Sequence, residues 1–208
     1  MSDAINLTLI LSAAFVASAS PGPATLSIAE TSMRQGRKLG LALAAGVTTG
    51  SLIWSIAAAL GLSALMLANA WTFEVIRYLG AGYLMFLAIK SARSALRPTA
   101  PAADFAPAQS LAKAYLKGLA LHLTNPKAIL FFGSLYALGI SPATPLSGLA
   151  TVILAVGLQS FVIFHGYALL FSNARISRGY FRIRRGLEGV FALAFGAASL
   201  KVLTARIG

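Results

Sequence analysis

The polar residues that could do chemistry in this apolar chain are concentrated in two short sequences, "SPGPA" and "NPK". Proline removes a backbone N–H and clashes with the preceding turn, so each sequence should interrupt a helix and leave peptide groups unpaired. Free N–H groups bind a carboxylate and free C=O groups bind an ammonium, which is what a zwitterion requires. The alternative is a pair of proline kinks that only shape packing. The predicted substrate-binding residues are Ser20, Pro21, Gly22, Pro23, Ala24, Asn125, Pro126 and Lys127, with Tyr83 and Gln159 as further pocket-lining residues.

Two of these residues have competing interpretations. Lys127 has no acidic neighbour in the sequence, and an unpaired cation inside a membrane costs a few kcal/mol or more. It either attracts the carboxylate of a substrate or reaches toward water and caps freed carbonyl groups. Asn125 can donate and accept hydrogen bonds, so it bridges the interruption or touches the substrate, and bridging is favoured.

Three titratable residues are candidates for coupling or gating. Glu30 should lie at the cytoplasmic boundary, as a proton carrier or ammonium ligand at an inner gate, or as the partner of Arg34 one turn later. His122 and His165 lie inside predicted spans, where an imidazole can carry a proton. The alternative for each histidine is a neutral ring that is hydrogen-bonded to a backbone carbonyl.

The other acidic residues are expected at span ends or in loops, so no deep carboxylate is predicted for a proton relay. They are Asp3, Glu74, Asp104 and Glu188. The chain has no cysteine, and two histidines on separate helices do not form a metal site. We therefore predict no metal site and no cofactor.

The elements that must position these residues are membrane helices. Of 208 residues, 58% are hydrophobic and 11% are charged, and the mean hydropathy is +0.79, whereas about a quarter of residues are charged in soluble domains. A span needs roughly 20 mostly apolar residues. The pattern predicts an all-α, polytopic membrane protein with six transmembrane helices, near Ile5–Thr31, Leu39–Met66, Trp71–Ile89, Leu111–Leu138, Leu146–Phe171 and Gly186–Thr204.

The basic residues indicate the orientation of these helices. Thirteen of the 17 basic residues fall in alternate connections, and therefore on one face. The positive-inside rule makes that face cytoplasmic and places both termini outside. The distribution favours contact with the lipid bilayer and excludes a nucleic-acid partner. The first span has a signal-peptide-like core, but Met1–Asn6 contain no basic residue, so we expect it to be retained. The thirteen are Arg34, Arg37, Lys38, Lys90, Arg93, Arg97, Lys113, Lys117, Arg175, Arg178, Arg182, Arg184 and Arg185.

The sequence also repeats weakly. "PGPATL" is followed about 104 residues later by "NPKAIL", and other short matches follow in the same order at offsets up to 108. We therefore predict one membrane domain over residues 1–208, with a three-helix repeat at 1–92, a cytoplasmic linker at 93–110 and a second repeat at 111–208. An odd number of helices inverts the second repeat, and secondary transporters with inverted repeats place substrate at interrupted helices near the midplane.

The motifs "SPGPATL", "GRKLGLALAAGVTTG", "YLGAGYLMFLAIKSAR" and "NPKAILFF" resemble the LysE/RhtB family of amino-acid exporters over nearly the whole chain. The resemblance implies a secondary transporter in the cytoplasmic (inner) membrane, with an amino acid as substrate and H⁺ or Na⁺ as coupling ion. Many members have asparagine after PGP, where this chain has Ala24, so that polar contact is absent. A homodimer is left open.

Two other classes of function were weighed. Paired buried acids, a GxSG sequence around Ser134, HExxH and phosphate-binding glycine loops are missing, so an enzyme is excluded. A passive channel or a lipid-handling protein with the same architecture is the remaining alternative.

Overall fold

The computed structural model describes residues 6–68, 70–96, 110–140 and 144–204. This part of the chain folds into eight α-helices. In chain order they are α1 (Leu7–Ala19), α2 (Pro23–Gln35), α3 (Arg37–Ala68), α4 (Ala70–Leu96), α5 (Leu111–Leu123), α6 (Pro126–Gly139), α7 (Leu146–Phe171) and α8 (Ala174–Thr204).

The PGP sequence separates α1 from α2. Ser20 ends α1 and returns its N–H to the carbonyl of Val16. Gly22 is the N-cap of α2, its N–H donates to Thr25 Oγ1 at 2.9 Å, and Pro23 occupies the first turn, where its missing N–H costs nothing. The two helices are bent by 49° relative to one another. At this bend, residues of the PGP sequence and its neighbours cap the end of α1 and the start of α2.

The NPK sequence separates α5 from α6 by the same chemistry. Thr124 ends α5, and its N–H donates to the carbonyl of Ala120. Asn125 is the N-cap of α6: its side-chain oxygen accepts from the N–H of Lys127 at 3.0 Å, and Pro126 follows in the first turn. Asn125 therefore caps the start of α6.

Glycines bring α3 and α5 into backbone contact. A Cβ on Gly46 of α3 would lie 2.0 Å from the carbonyl oxygen of Tyr115, and a Cβ on Gly118 of α5 would lie 2.2 Å from that of Leu43. Close approach through small residues is the usual way in which membrane helices associate. Between α2 and α3, Gly36 adopts φ of 89°, a conformation that glycine adopts without strain.

Two clusters of buried apolar residues fill the bundle. The first joins α1 and α6 to one half of α7, with Ile10, Phe132 and Val152 among its members, and also includes residues of α4 and α8. The second joins α2 and α5 to the other half of α7 and the start of α3, with Ile28 and Ala114 among its members. Each interrupted helix thus contributes one half to each cluster.

By length and composition, two helices of the described part can cross a membrane: Arg37–Gly61 and Leu146–Phe171. The bent pair α1 and α2 passes the same test together. The helices do not end where the sequence predicts: α4 continues to Leu96, and α8 begins at Ala174 rather than Gly186. Ile5 and most of the predicted linker, from 97 to 109, lie outside the described residues.

Candidate functional site

The side chain of Lys127 connects the two interruptions. It begins in the first turn of α6 and its Nζ donates to the Ser20 hydroxyl, and at 3.4 Å to the Ser20 carbonyl, at the end of α1. Nζ also lies 5.8 Å from the centre of the Phe195 ring on α8, within cation–π range. The lysine caps freed carbonyl groups in this conformation, one of its two predicted roles.

A first, small cavity of about 40 Å³ adjoins this contact. Ser20, Gly22, His122, Asn125 and Lys127 line it, so the cavity brings residues of both proline sequences together. Its remaining wall is largely aromatic and small, with Phe131, Phe132, Phe164, Ala17, Ala24, Ala128, Ser18, Thr25 and Ser51. An apolar cavity with a few convergent polar groups is the usual form of a small-molecule site.

A second, larger cavity of about 280 Å³ also adjoins the contact, between α2, α4 and α8. Pro21, Pro23, Lys90, Ser94 and Glu188 are among its lining residues. Gly22 and Lys127 line both cavities. The contact between Lys127 and Ser20 therefore lies where the two cavities adjoin.

The prediction that Glu188 falls at a span end was wrong. Helix α8 runs from Ala174 through Thr204, so Glu188 lies well inside it and is 3% exposed. One carboxylate oxygen accepts from Ser94 Oγ of α4 at 2.9 Å. The arginines before Glu188 indicated a membrane boundary in the sequence, while the packing of α8 against α4 buries the carboxylate.

The three candidate coupling residues lie in different surroundings. His122 is buried in the wall of the first cavity, with its ring 5.8 Å from that of Phe164. Glu30 is exposed and forms an ion pair with Arg34 at 3.3 Å. His165 is partly exposed; its Nδ1 lies 3.0 Å from the carbonyl oxygen of Phe161, four residues earlier. Of the three, the structure places only His122 among the described lining residues of the first cavity.

Gln159 joins two helices by a hydrogen bond and is not among the lining residues of either cavity. Its Nε2 donates to the carbonyl of Leu11 at 3.0 Å and joins α7 to α1. Tyr83 belongs to α4, and its side chain lies outside the described residues. In the described residues, no group of three or more histidine, cysteine, aspartate or glutamate side chains is placed to hold a metal ion.

Several residues at the site were missed in the sequence. Phe131, Phe132 and Phe164 line the first cavity, but an aromatic residue in an apolar helix carries no sign of which face it occupies. Ser51 also lines this cavity and forms a buried hydrogen bond of 3.0 Å with Ser160 of α7. The two serines are 109 residues apart, close to the offset of the repeat, and that spacing is the signal that could have identified Ser51.

Comparison with known proteins identifies the family of this chain. The family model described as LysE type translocator matches residues 15–206. The chain belongs to this family. It is 30% identical to the threonine efflux protein of Escherichia coli (strain K12) over 194 residues, covering 92% of this chain and 94% of the relative. It is 33% identical to the leucine efflux protein of Enterobacter sp. (strain 638) over 186 residues, covering 85% and 86%. No solved structure matches the chain.

Membership of the LysE type translocator family confirms the resemblance identified in the sequence. The protein is an integral membrane translocator and not an enzyme, as the missing catalytic motifs predicted. The similarity extends over nearly all of both chains, so the family assignment covers both proline sequences and both cavities.

Proposed function

We propose that this LysE family protein exports amino acids across the cytoplasmic membrane as a secondary transporter that works by alternating access. Relatives named threonine and leucine efflux proteins support an amino acid as the class of substrate. The proposed architecture has six spans in two inverted repeats, with both termini outside. Helices α1 with α2 form the first span, α5 with α6 form the fourth, and α3, α4, α7 and α8 supply the others.

Equivalent helix pairs support the inverted repeat. Helix α3 contacts α5, as α7 contacts α1, and the self-equivalent pairs α3 with α7 and α4 with α8 also pack together. Two hydrogen bonds match in the same way: Tyr115 to Thr49 across α5 and α3, and Gln159 to Leu11 across α7 and α1. Leu11 precedes Tyr115 by 104 residues and Thr49 precedes Gln159 by 110, close to the offsets of the sequence repeat.

The two core clusters support interruptions at matched depth. Helices α2 and α5 share one cluster and adjoin the basic connections, so they form the cytoplasmic halves of their spans. Helices α1 and α6 share the other cluster and form the outer halves. Because α7 contributes to both clusters along its length, the clusters are stacked along the membrane normal, and both interruptions lie between them.

The observation that carries the proposal is the position of Lys127. A cation inside a membrane is costly and marks a substrate or ion pathway. Lys127 lines both cavities, and its hydrogen-bond acceptors among the described residues are weak ones, the hydroxyl and carbonyl of Ser20. A carboxylate is a stronger acceptor for an ammonium group. The substrate carboxylate thus replaces Ser20 as the hydrogen-bond acceptor of Lys127. The lysine holds the substrate as the second cavity closes and the first one opens.

The coupling ion is H⁺ or Na⁺, and His122 is the candidate proton carrier. Its ring nitrogens are buried and have no hydrogen-bond partner among the described residues. The ring lies in the cavity that Lys127 also lines, so a proton there and a substrate at Lys127 would affect one another through charge. Glu30 and His165 remain gating candidates of lower rank, because their side chains contact neighbours on their own helices.

Counterflow into proteoliposomes tests the proposal. Vesicles are loaded with one unlabelled amino acid from a panel that includes L-threonine and L-leucine, and uptake of the labelled form is measured. A carrier gives saturable uptake that depends on the internal amino acid. Flux that rises linearly with concentration would indicate a passive channel, and absence of flux for the whole panel would refute amino-acid export. Imposed pH and Na⁺ gradients then identify the coupling ion.

Lys127→Met tests the site itself, because methionine keeps the length of the side chain and removes the charge. We expect saturable exchange to be lost while the protein still folds. Lys113→Met is the matched control, since Lys113 is an exposed lysine on α5, and it should exchange as the wild type does. Equal exchange by the Lys127 variant would exclude the lysine from the substrate pathway.

A further inference from the structure

We propose that Glu188 binds the ammonium group of the substrate in the second cavity and so selects amino acids over carboxylates that lack this group. The proposal rests on the proposed export function and names the specificity residue of its entry chamber. Nothing in the sequence pattern assigned a role to this residue. The argument depends on its burial, its single described hydrogen bond and its position relative to Lys127.

The carboxylate of Glu188 is buried, and few groups among the described residues contact it directly. It is 3% exposed, and Ser94 is its one hydrogen-bond donor among the described residues, at 2.9 Å. A serine hydroxyl is a neutral donor and leaves the charge in place. A buried charge is retained when it is paired or hydrogen-bonded, and removing its partner is costly. Glu188 therefore has capacity for a cationic partner in the cavity it lines.

Glu188 and Lys127 line the same cavity. Phe195 follows Glu188 by about two turns of α8, which corresponds to about 10 Å of helical rise. The Phe195 ring lies 5.8 Å from Lys127 Nζ, so Lys127 marks one end of this stretch and Glu188 the other. An α-amino acid with a hydrogen bond of about 2.9 Å at each end spans a distance of this order. Its carboxylate is then directed to Lys127 and its ammonium to Glu188.

The charges of the second cavity fit a zwitterion. Its described lining residues include Lys90, Lys127 and Glu188, which leave one net positive charge. Lys90 lies one turn before Ser94 on α4 and is exposed. In the proposed topology it is near the cytoplasmic end of that helix. Without Glu188 the cavity would attract any small carboxylate. Glu188 repels carboxylates that lack an ammonium group, and this repulsion is how a site excludes a competitor.

The alternative is that Glu188 only balances the charges of the two lysines. The two hypotheses predict different changes in affinity for ligands with and without an ammonium group. A counter-ion affects the affinity for every ligand that bears a carboxylate in the same way. A residue that binds the ammonium group affects amino acids specifically.

The experiment compares L-leucine with its 2-hydroxy analogue, in which a hydroxyl replaces the ammonium group. Binding of labelled L-leucine to the purified full-length protein in detergent is measured, with the analogue as competitor. For Glu188→Gln we expect affinity for L-leucine to fall about 10- to 100-fold, the range of a charge-assisted hydrogen bond. Affinity for the analogue should stay equal or rise. A parallel fall for both ligands, or no change for either, overturns the proposal.

A second variant keeps the test valid if Glu188→Gln fails to fold. Ser94→Ala removes the described hydrogen bond that orients the carboxylate and should weaken L-leucine binding severalfold without weakening binding of the analogue. Thr151→Ala is the matched control: this hydroxyl is exposed on α7 and donates to the carbonyl of Ser147 in its own helix. The role of Glu188 would be contradicted if Thr151→Ala lost the preference for L-leucine over the 2-hydroxy analogue, or if Ser94→Ala kept that preference unchanged.

Failure of this inference is distinguishable from failure of the proposed function. If the wild type exchanges L-leucine or L-threonine in vesicles but Glu188→Gln keeps its preference for the amino acid, the assignment of Glu188 is overturned and export stands. If the wild type neither binds nor exchanges any amino acid of the panel, both proposals are overturned together.

Discussion

Replacing Gly46 with alanine should destabilise the protein, whereas the same change at Gly166 should not. The added methyl group at Gly46 would lie 2.0 Å from the carbonyl oxygen of Tyr115 and 2.7 Å from the amide nitrogen of Leu119. Both are backbone atoms of α5, so no side chain can rotate away and the two helices must separate. Overpacking of this kind costs about 1–3 kcal/mol.

Gly166 of α7 has no neighbouring atom within 4 Å of the position of the added carbon. There the higher helix propensity of alanine is unopposed and contributes up to about 1 kcal/mol of stability. Because this gain applies at both positions, the two variants should differ by the overpacking cost at Gly46, about 1–3 kcal/mol. In a chain of this length each kcal/mol shifts the unfolding midpoint by about 2–4 °C.

The assay is thermal unfolding of the wild type and both variants, purified in the same detergent. The Gly46→Ala variant should melt below the wild type and the Gly166→Ala variant at or above it. A Gly46→Ala protein that melts with the wild type would refute direct backbone contact between α3 and α5. An equal fall in the melting temperature of the Gly166→Ala protein would show that close contact between helices does not explain the effect of Gly46→Ala.

Three further predictions concern the site. Ser51→Ala and Ser160→Ala should each lower the free energy of unfolding by about 1 kcal/mol. The double variant should lose less than the sum of the two, which a double-mutant cycle of thermal stability measures. Strict additivity would argue against the hydrogen bond. Asn125→Ala should cost about 1 kcal/mol by removing the N-cap of α6, whereas Asn125→Asp should retain it in the same melting assay. Gly22→Ala places a methyl group 3.3 Å from Lys127 Nζ, so substrate affinity in the binding assay should fall severalfold with little change in melting temperature; unchanged affinity would contradict this.

The helix interruptions could be predicted because their cause is local. Pro23 and Pro126 cannot continue a helix that precedes them, and each stands directly after a residue able to cap a new one. No distant contact is needed to place these ends. The predicted sequences therefore contain the ends of α1 and α5 and the starts of α2 and α6 in the structure.

The partners of the buried polar residues could not be predicted because they are distant in the chain. Lys127 contacts Ser20 across 107 residues, and Glu188 accepts from Ser94 across 94. For Glu188 the local pattern was misleading, since five arginines from Arg175 to Arg185 precede it. The packing of α8 against α4 decides its burial, and this pairing leaves no trace in the periodicity of either helix.

The division of each interrupted helix between two core clusters gives the molecule two elbows. Bending at an elbow breaks no intrahelical hydrogen bond, because the N–H of Gly22, the N-cap of α2, already donates to Thr25, and the N–H of Lys127 in α6 already donates to Asn125. In the proposed alternating access, the two halves of each interrupted helix can tilt relative to one another, while α7 runs through both clusters. The cost of this reorientation falls where the two halves meet, beside the ammonium group of Lys127.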